Sequence, residues 1–127
     1  MRLIITLIGI VFYGSSCLYK SEDPVCNNTP VEVGFQRDIL PIFAQHCTAI
    51  ECHSGSSPAG NLKLEPSVAY AQLSRVGKGY LDTINAKSSV LYASMNSRSD
   101  PMPPDGRLDV CTVELVLEWI TQKAKDN

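Results

Sequence analysis

The chain has 127 residues, 44% of them hydrophobic, with eleven Lys and Arg against thirteen Asp and Glu. That length fits one domain with a modest core. The mild negative charge includes no basic block, so nucleic acid is not an expected partner.

The chain opens with Arg2 and an apolar run from Leu3 to Tyr13, too short to span a bilayer as a mature helix. Gly14-Ser15-Ser16-Cys17 then places small residues before a cysteine. This predicts a lipoprotein-type signal over residues 1–16, cut ahead of a lipidated Cys17. The alternative is an ordinary secretory signal with Cys17 in a disulfide. Either one exports the chain. Leu18 after the cysteine, where Asp is absent, resembles outer-membrane sorting signals, so the expected location is periplasm-facing or outer-membrane. Loss of Arg2 with the signal leaves a formal charge of −3, from ten basic and thirteen acidic residues. Leu18 to about Pro30 is polar and holds Pro24, Asn27 and Asn28, which predicts a tether over 17–30 and a domain over 31–127.

Phe35, Ile39, Ile42 and Phe43 follow at helical spacing and predict a first helix running into Cys47. Pro41 is tolerated in its first turn if Asp38 is the N-cap. Ser54 to Leu64, with Gly55, Pro58 and Gly60, predicts a loop. Pro66 opens a second helix through about Leu73. Arg75-Val76-Gly77-Lys78-Gly79 is too sparse for a phosphate loop and predicts a turn. Ser88 caps a third helix, with Leu91 and Met95 on one face. Asn96 to Arg107 is a loop with three prolines. Asp109 caps a last helix carrying Val113, Val116, Leu117 and Ile120 as its apolar face. No period-2 strand pattern occurs, so the predicted fold class is all-α.

The first helix runs into Cys47-Thr48-Ala49-Ile50-Glu51-Cys52-His53, a C-x4-C-H arrangement. Two thiols and an adjacent imidazole suit covalent attachment of haem c. The thiols of Cys47 and Cys52 add across the two porphyrin vinyl groups, and His53 reaches the iron. The usual spacing is C-x-x-C-H, but the adjacency of Cys52 and His53 is intact. Two extra residues can bulge between the cysteines without moving the histidine. A short-loop disulfide is an alternative that leaves the histidine unexplained. Zinc is another, but a structural zinc site wants four ligands, and the only other histidine is His46.

The second chemical signal is Asp100-Pro101-Met102-Pro103-Pro104-Asp105-Gly106. Prolines beside Met102 hold the chain extended, and a thioether paired with a histidine is a standard axial set in cytochromes c. Met102 is therefore the expected second axial ligand. Met95 is expected in the core. His46 adjoins Cys47 and would have to cross to the opposite haem face. With Cys17 lipidated and Cys47 and Cys52 on haem, Cys26 and Cys111 remain. In an oxidising compartment they form a disulfide, or else each is a lone buried thiol.

Phe35-Gln36-Arg37-Asp38-Ile39-Leu40-Pro41-Ile42-Phe43, the C-x4-C-H site, Met102-Pro103-Pro104 and Trp119-Ile120 together resemble a group of small bacterial cytochromes c. Ser89-Val90-Leu91-Tyr92 resembles that group's short helix before the Met loop. The likeness covers about residues 33 to 124. It implies a cytochrome c-like helical domain around one haem, with first and last helices crossing beside it. The expected function is one-electron transfer outside the cytoplasm with redox partner proteins: an electron carrier, not an enzyme. Two alternatives stay open. One is a haem enzyme or gas or redox sensor with a displaceable Met ligand. The other is a haem-free lipoprotein stapled by disulfides. Trp119 and Tyr92 are expected to be packing residues.

Overall fold

The structure is a computed structural model and describes residues 25–27 and 29–127. The expected signal, Cys17, Leu18 and most of the tether lie outside the described residues. Among the described residues the chain is helical, with no strand, and no helix is long and apolar enough to cross a membrane. The fold class is all-α.

A π turn, Phe35–Ile39, leads into α1, Leu40–His46. The expected first helix is thus present but irregular, and Asp38 is not its N-cap. The residue before the π turn is Gly34, and the one before α1 is Ile39. Pro41 explains the irregularity. Its ring would strike the carbonyl of residue 37 in a regular helix, and it has no N–H to donate. The chain widens ahead of it, with Leu40 N–H reaching back to Phe35 O. Asp38 instead folds back, and its Oδ2 accepts Gly34 N–H at 2.8 Å. Arg37 pairs with the same carboxylate at 2.8 Å, and these contacts, Arg37 foremost, hold Asp38 below the ordinary carboxylate range.

The second helix begins later than expected. Pro66 opens turns whose N–H groups from Val68 and Ala69 both reach Glu65 O, and α2 covers only Ala69–Leu73. A 3₁₀ turn, Ala86–Ser88, precedes α3, Val90–Asn96. The residue before α3 is Ser89, so Ser88 is not its cap. Ser89 is fully buried, and its hydroxyl accepts Asp82 N–H at 2.7 Å instead of capping the helix. The last helix, α4, covers Val110–Thr121, and Asp109 caps it through Oδ1 to Thr112 N–H at 3.0 Å.

Helix α4 packs on the π turn and on α3. Its buried residues are Val113, Val116, Leu117, Trp119 and Ile120. The centre is aromatic. Phe35 lies 5.2 Å from Trp119 and 5.3 Å from Tyr70, ring centre to ring centre. Phe35 and Trp119 are fully buried, and the indole N–H donates to Lys125 O at 2.9 Å. Tyr92 is also in this core.

Gln122 and Asn127, at the C-terminal end, accept N–H groups at the start of the π turn and just before it, which no helical carbonyl reaches. Gln122 Oε1 accepts Val33 N–H at 2.9 Å, and its Nε2 donates to Val31 O at 3.0 Å. Asn127 accepts Phe35 N–H through Oδ1 and Gln36 N–H through its main-chain O. Cys26 and Cys111 are joined by a disulfide, Cα–Cα 5.4 Å, which ties the segment ahead of the domain to α4. Residues 26–36 and the C-terminal end are therefore locked together, with the described residues between them folded against them.

Candidate functional site

Helix α1 ends at Cys47, whose N–H closes the last turn on Phe43 O at 2.8 Å. The chain then turns tightly. Cys52 N–H donates to Ala49 O at 3.0 Å, and Glu51 takes a left-handed backbone, φ 70°. His53 N–H donates to Cys47 O at 3.0 Å, across the whole insert. That bond anchors His53 to the end of α1 while residues 48–51 loop outward. Ile50, on the insert, is 91% exposed.

The loop after His53 folds back around it. Ala59 N–H donates to Cys52 O and Leu64 N–H to His53 O, both at 2.8 Å. Glu65 steadies the loop by accepting Gly55 N–H at 3.0 Å, and this bond, chiefly, keeps its carboxyl below the ordinary range. The imidazole is captured as well. Its Nδ1 lies 3.1 Å from Ala59 O and 3.0 Å from Leu62 O. Carbonyl oxygens only accept, so Nδ1 carries the proton and donates. The neutral ring then keeps its lone pair on Nε2. A histidine held this way by its far nitrogen is oriented as metal-ligating histidines are.

The proline loop is hung from α3. Met102 N–H donates to Ser94 O at 3.0 Å, and Asp100 N–H to Ser97 Oγ at 3.0 Å. Met102 is 38% exposed.

These pieces surround one cavity of about 300 Å³. Cys47, Cys52, His53 and Met102 all line it, so four residues spread over 56 positions of sequence meet at one place. Leu62, Leu64, Leu91, Met95 and Pro103 supply much of the remaining wall. Glu51, Gly60, Met102 and Pro104 are exposed at its margin, so it opens to solvent. His46 also lines it. A larger groove of about 430 Å³ lies beside the Cys26–Cys111 disulfide, away from any free thiol or histidine.

The four described cysteines divide into a bridged pair and a free pair, Cys47 and Cys52. Burial, and secondarily the neighbouring Cys52, push the Cys47 thiol up to about 11. With no metal bound it is a protonated thiol at neutral pH. Among the described residues no group of three or more His, Cys, Asp or Glu is placed to hold a bare metal ion. A porphyrin brings four nitrogens of its own and asks only two axial donors of the chain.

Sequence reasoning missed several wall elements. The carbonyls of Ala59 and Leu62 carry no side-chain signature. Tyr80 follows the Arg75 to Gly79 turn, and nothing local marks it. Met95, expected in the core, is 3% exposed and also faces the cavity. No protein-family model, curated protein or solved structure matches this chain.

Proposed function

We propose that this protein is a single-haem c-type cytochrome that transfers single electrons outside the cytoplasm, anchored to a membrane through a lipidated Cys17. The observation that carries the reading is the shared cavity of Cys47, Cys52, His53 and Met102, with His53 oriented through Nδ1. Two free thiols beside an oriented imidazole fit thioether attachment better than a disulfide or a zinc site. The all-α arrangement, with α4 against the π turn, is compatible with a cytochrome c-like domain.

Haem bound there supplies an iron that cycles between ferric and ferrous states. The chain does the rest. Cys47 and Cys52 fix the porphyrin edge to the end of α1. His53 offers Nε2. Met102 offers a neutral sulfur, which favours the ferrous state. Leu62, Leu64 and Leu91 line the cavity and would limit water around a bound haem and disfavour extra positive charge there. A cavity of about 300 Å³ is at the small end of the usual 300–1,000 Å³ for ligand sites, and it is open. A porphyrin would therefore leave one edge in solvent, where a redox partner protein reaches it.

One observation favours a second reading. Met102 is 38% exposed and sits on a loop, as a displaceable ligand in a sensor or enzyme would. The test is the visible spectrum of protein matured with haem-attachment machinery, beside the Cys47→Ala/Cys52→Ala double variant. Covalent haem in the wild type, lost in the double variant on a denaturing gel stained for haem peroxidase activity, is expected. A haem band surviving in the double variant refutes the attachment. Rapid binding of carbon monoxide or cyanide by the wild type favours the sensor or enzyme.

A further inference from the structure

The segment ahead of the domain meets α4 at both ends of the helix. Cys26 is bonded to Cys111, the second residue of α4. Gln122, the residue after the helix, accepts Val33 N–H at 2.9 Å and donates to Val31 O at 3.0 Å. Cys111 and Gln122 lie about 16 Å apart along the axis, at 1.5 Å per residue. Between Cys26 and Val31 the chain therefore runs the length of α4. Asn27, Thr29 and Val31 are exposed on it, and an open groove of about 430 Å³ lies between this strap and Asp109, Thr112 and Leu115. The disulfide is the strap's covalent tie to the start of the helix. The two ends of α4 also differ in surface. At its start, Val25 is 78% exposed and Val110 49%. At its end, beside the exposed Val31, Glu32 pairs with Lys125 at 3.7 Å and Arg37 with Asp38 at 2.8 Å.

We infer that the start of α4 is the end of the domain turned to a lipid surface, and that the Cys26–Cys111 bridge sets this orientation. The inference rests on the lipidated Cys17 proposed above. Nine residues separate Cys17 from Cys26, a reach of at most about 30 Å when fully extended. The bridge makes Cys26 the point where the anchor holds the domain. An open bridge would move that point to Val31, at the far end of α4, and extend the reach to about 50 Å. With the bridge closed, the start of α4 stays nearer the bilayer than the charged end, which is about 16 Å further along the helix. Val25 and Val110 gain by meeting the acyl boundary, while the charged groups at the other end stay in water.

The experiment places benzoylphenylalanine, a photo-crosslinking residue, at Val110 or at Val31 of the full-length acylated protein. The vesicles are phosphatidylethanolamine and phosphatidylglycerol with a radiolabelled phospholipid. Irradiation should attach several-fold more labelled lipid at the Val110 site than at the Val31 site. In the Cys26→Ser/Cys111→Ser background the preference should reverse, because Val31 then adjoins the tether exit. Circular dichroism checks the folds. If the double variant does not fold, a Gly-Ser insert after Ser21 that doubles the tether decides, and with the bridge intact it should cut the Val110 preference. Acylated, bridged protein labelled equally at both sites, or more at Val31, overturns the inference and leaves the anchor reading standing. So does a Val110 preference that persists unchanged in the folded double variant or, in its place, with the insert, since the bridge and tether then play no part. Protein that carries no acyl chain overturns both.

Discussion

Nδ1 of His53 lies 3.0 Å from the carbonyl oxygen of Leu62, nine residues further along the chain. One contact joins the loop's fold to the chemistry of the ring. It fixes the proton on Nδ1, leaves Nε2 as the donor atom, and aims that atom from the end of α1. The bond exists because the 54–64 loop closes on itself through Ala59 and Leu64. Orientation of the expected iron ligand is therefore a property of the loop's main chain.

Met102 and Met95 should separate cleanly on substitution. Met102→Ala is expected to abolish the sulfur–iron charge-transfer band, admit exogenous ligands and lower the reduction potential. Met95 is 3% exposed, and Met95→Ala should cost about 2–5 kcal/mol of stability while leaving that band in place. Optical spectroscopy, potentiometry and thermal melting on both variants check this. An unchanged spectrum in Met102→Ala removes Met102 as the ligand.

The Cys26–Cys111 disulfide spans 85 positions. Closing a loop of that size restricts the unfolded chain, a contribution of about 4–5 kcal/mol on the chain-entropy view. The Cys26→Ser/Cys111→Ser double variant should unfold at markedly lower denaturant than wild type. Its haem content should not change, because the bridge lies apart from the cavity. Guanidinium titration followed by tryptophan fluorescence measures the loss through Trp119.

Asp109 caps α4, and its contacts with Thr112, side chain first, hold its carboxyl below the ordinary value of 3.8. A lowered carboxylate stabilises the fold above the unfolded value and stops doing so as pH falls through the folded one. Asp109→Ala should therefore cost about 1 kcal/mol at neutral pH. The difference from wild type should shrink below about pH 4 and vanish in stronger acid. Melting curves at several pH values test both the size and the sign.

Cys17 lies outside the described residues, so its role is testable only by chemistry. Cys17→Ala should prevent fatty-acid labelling and lipoprotein-type signal cleavage, and should release the protein from the membrane fraction. Multiple acyl chains hold a protein stably where a single one is marginal. Equal labelling of variant and wild type would show that the signal was misread.

Local chemistry made several features legible. Asp109 caps α4 because a carboxylate satisfies free N–H groups wherever a helix starts. The apolar face of α4 is buried because a 3.6-residue period leaves it no other place. The elements with wrong boundaries are those where two local rules compete. Pro41 widened the first helix into a π turn and removed Asp38 from the cap. Ser89, not Ser88, precedes α3, and its buried hydroxyl accepts Asp82 N–H instead of capping the helix.

What the sequence determined by itself is the chemical inventory: two thiols and a histidine on one turn, a methionine between prolines, and an all-α pattern. These follow from residue type and spacing, which act over a few positions. Only the tertiary structure decided that Met102 reaches the same cavity as His53 and that Cys26 meets Cys111. The tautomer of His53 belongs with these. Each depends on where main-chain carbonyls and packed helices bring distant residues, and a carbonyl looks the same at every position of a sequence.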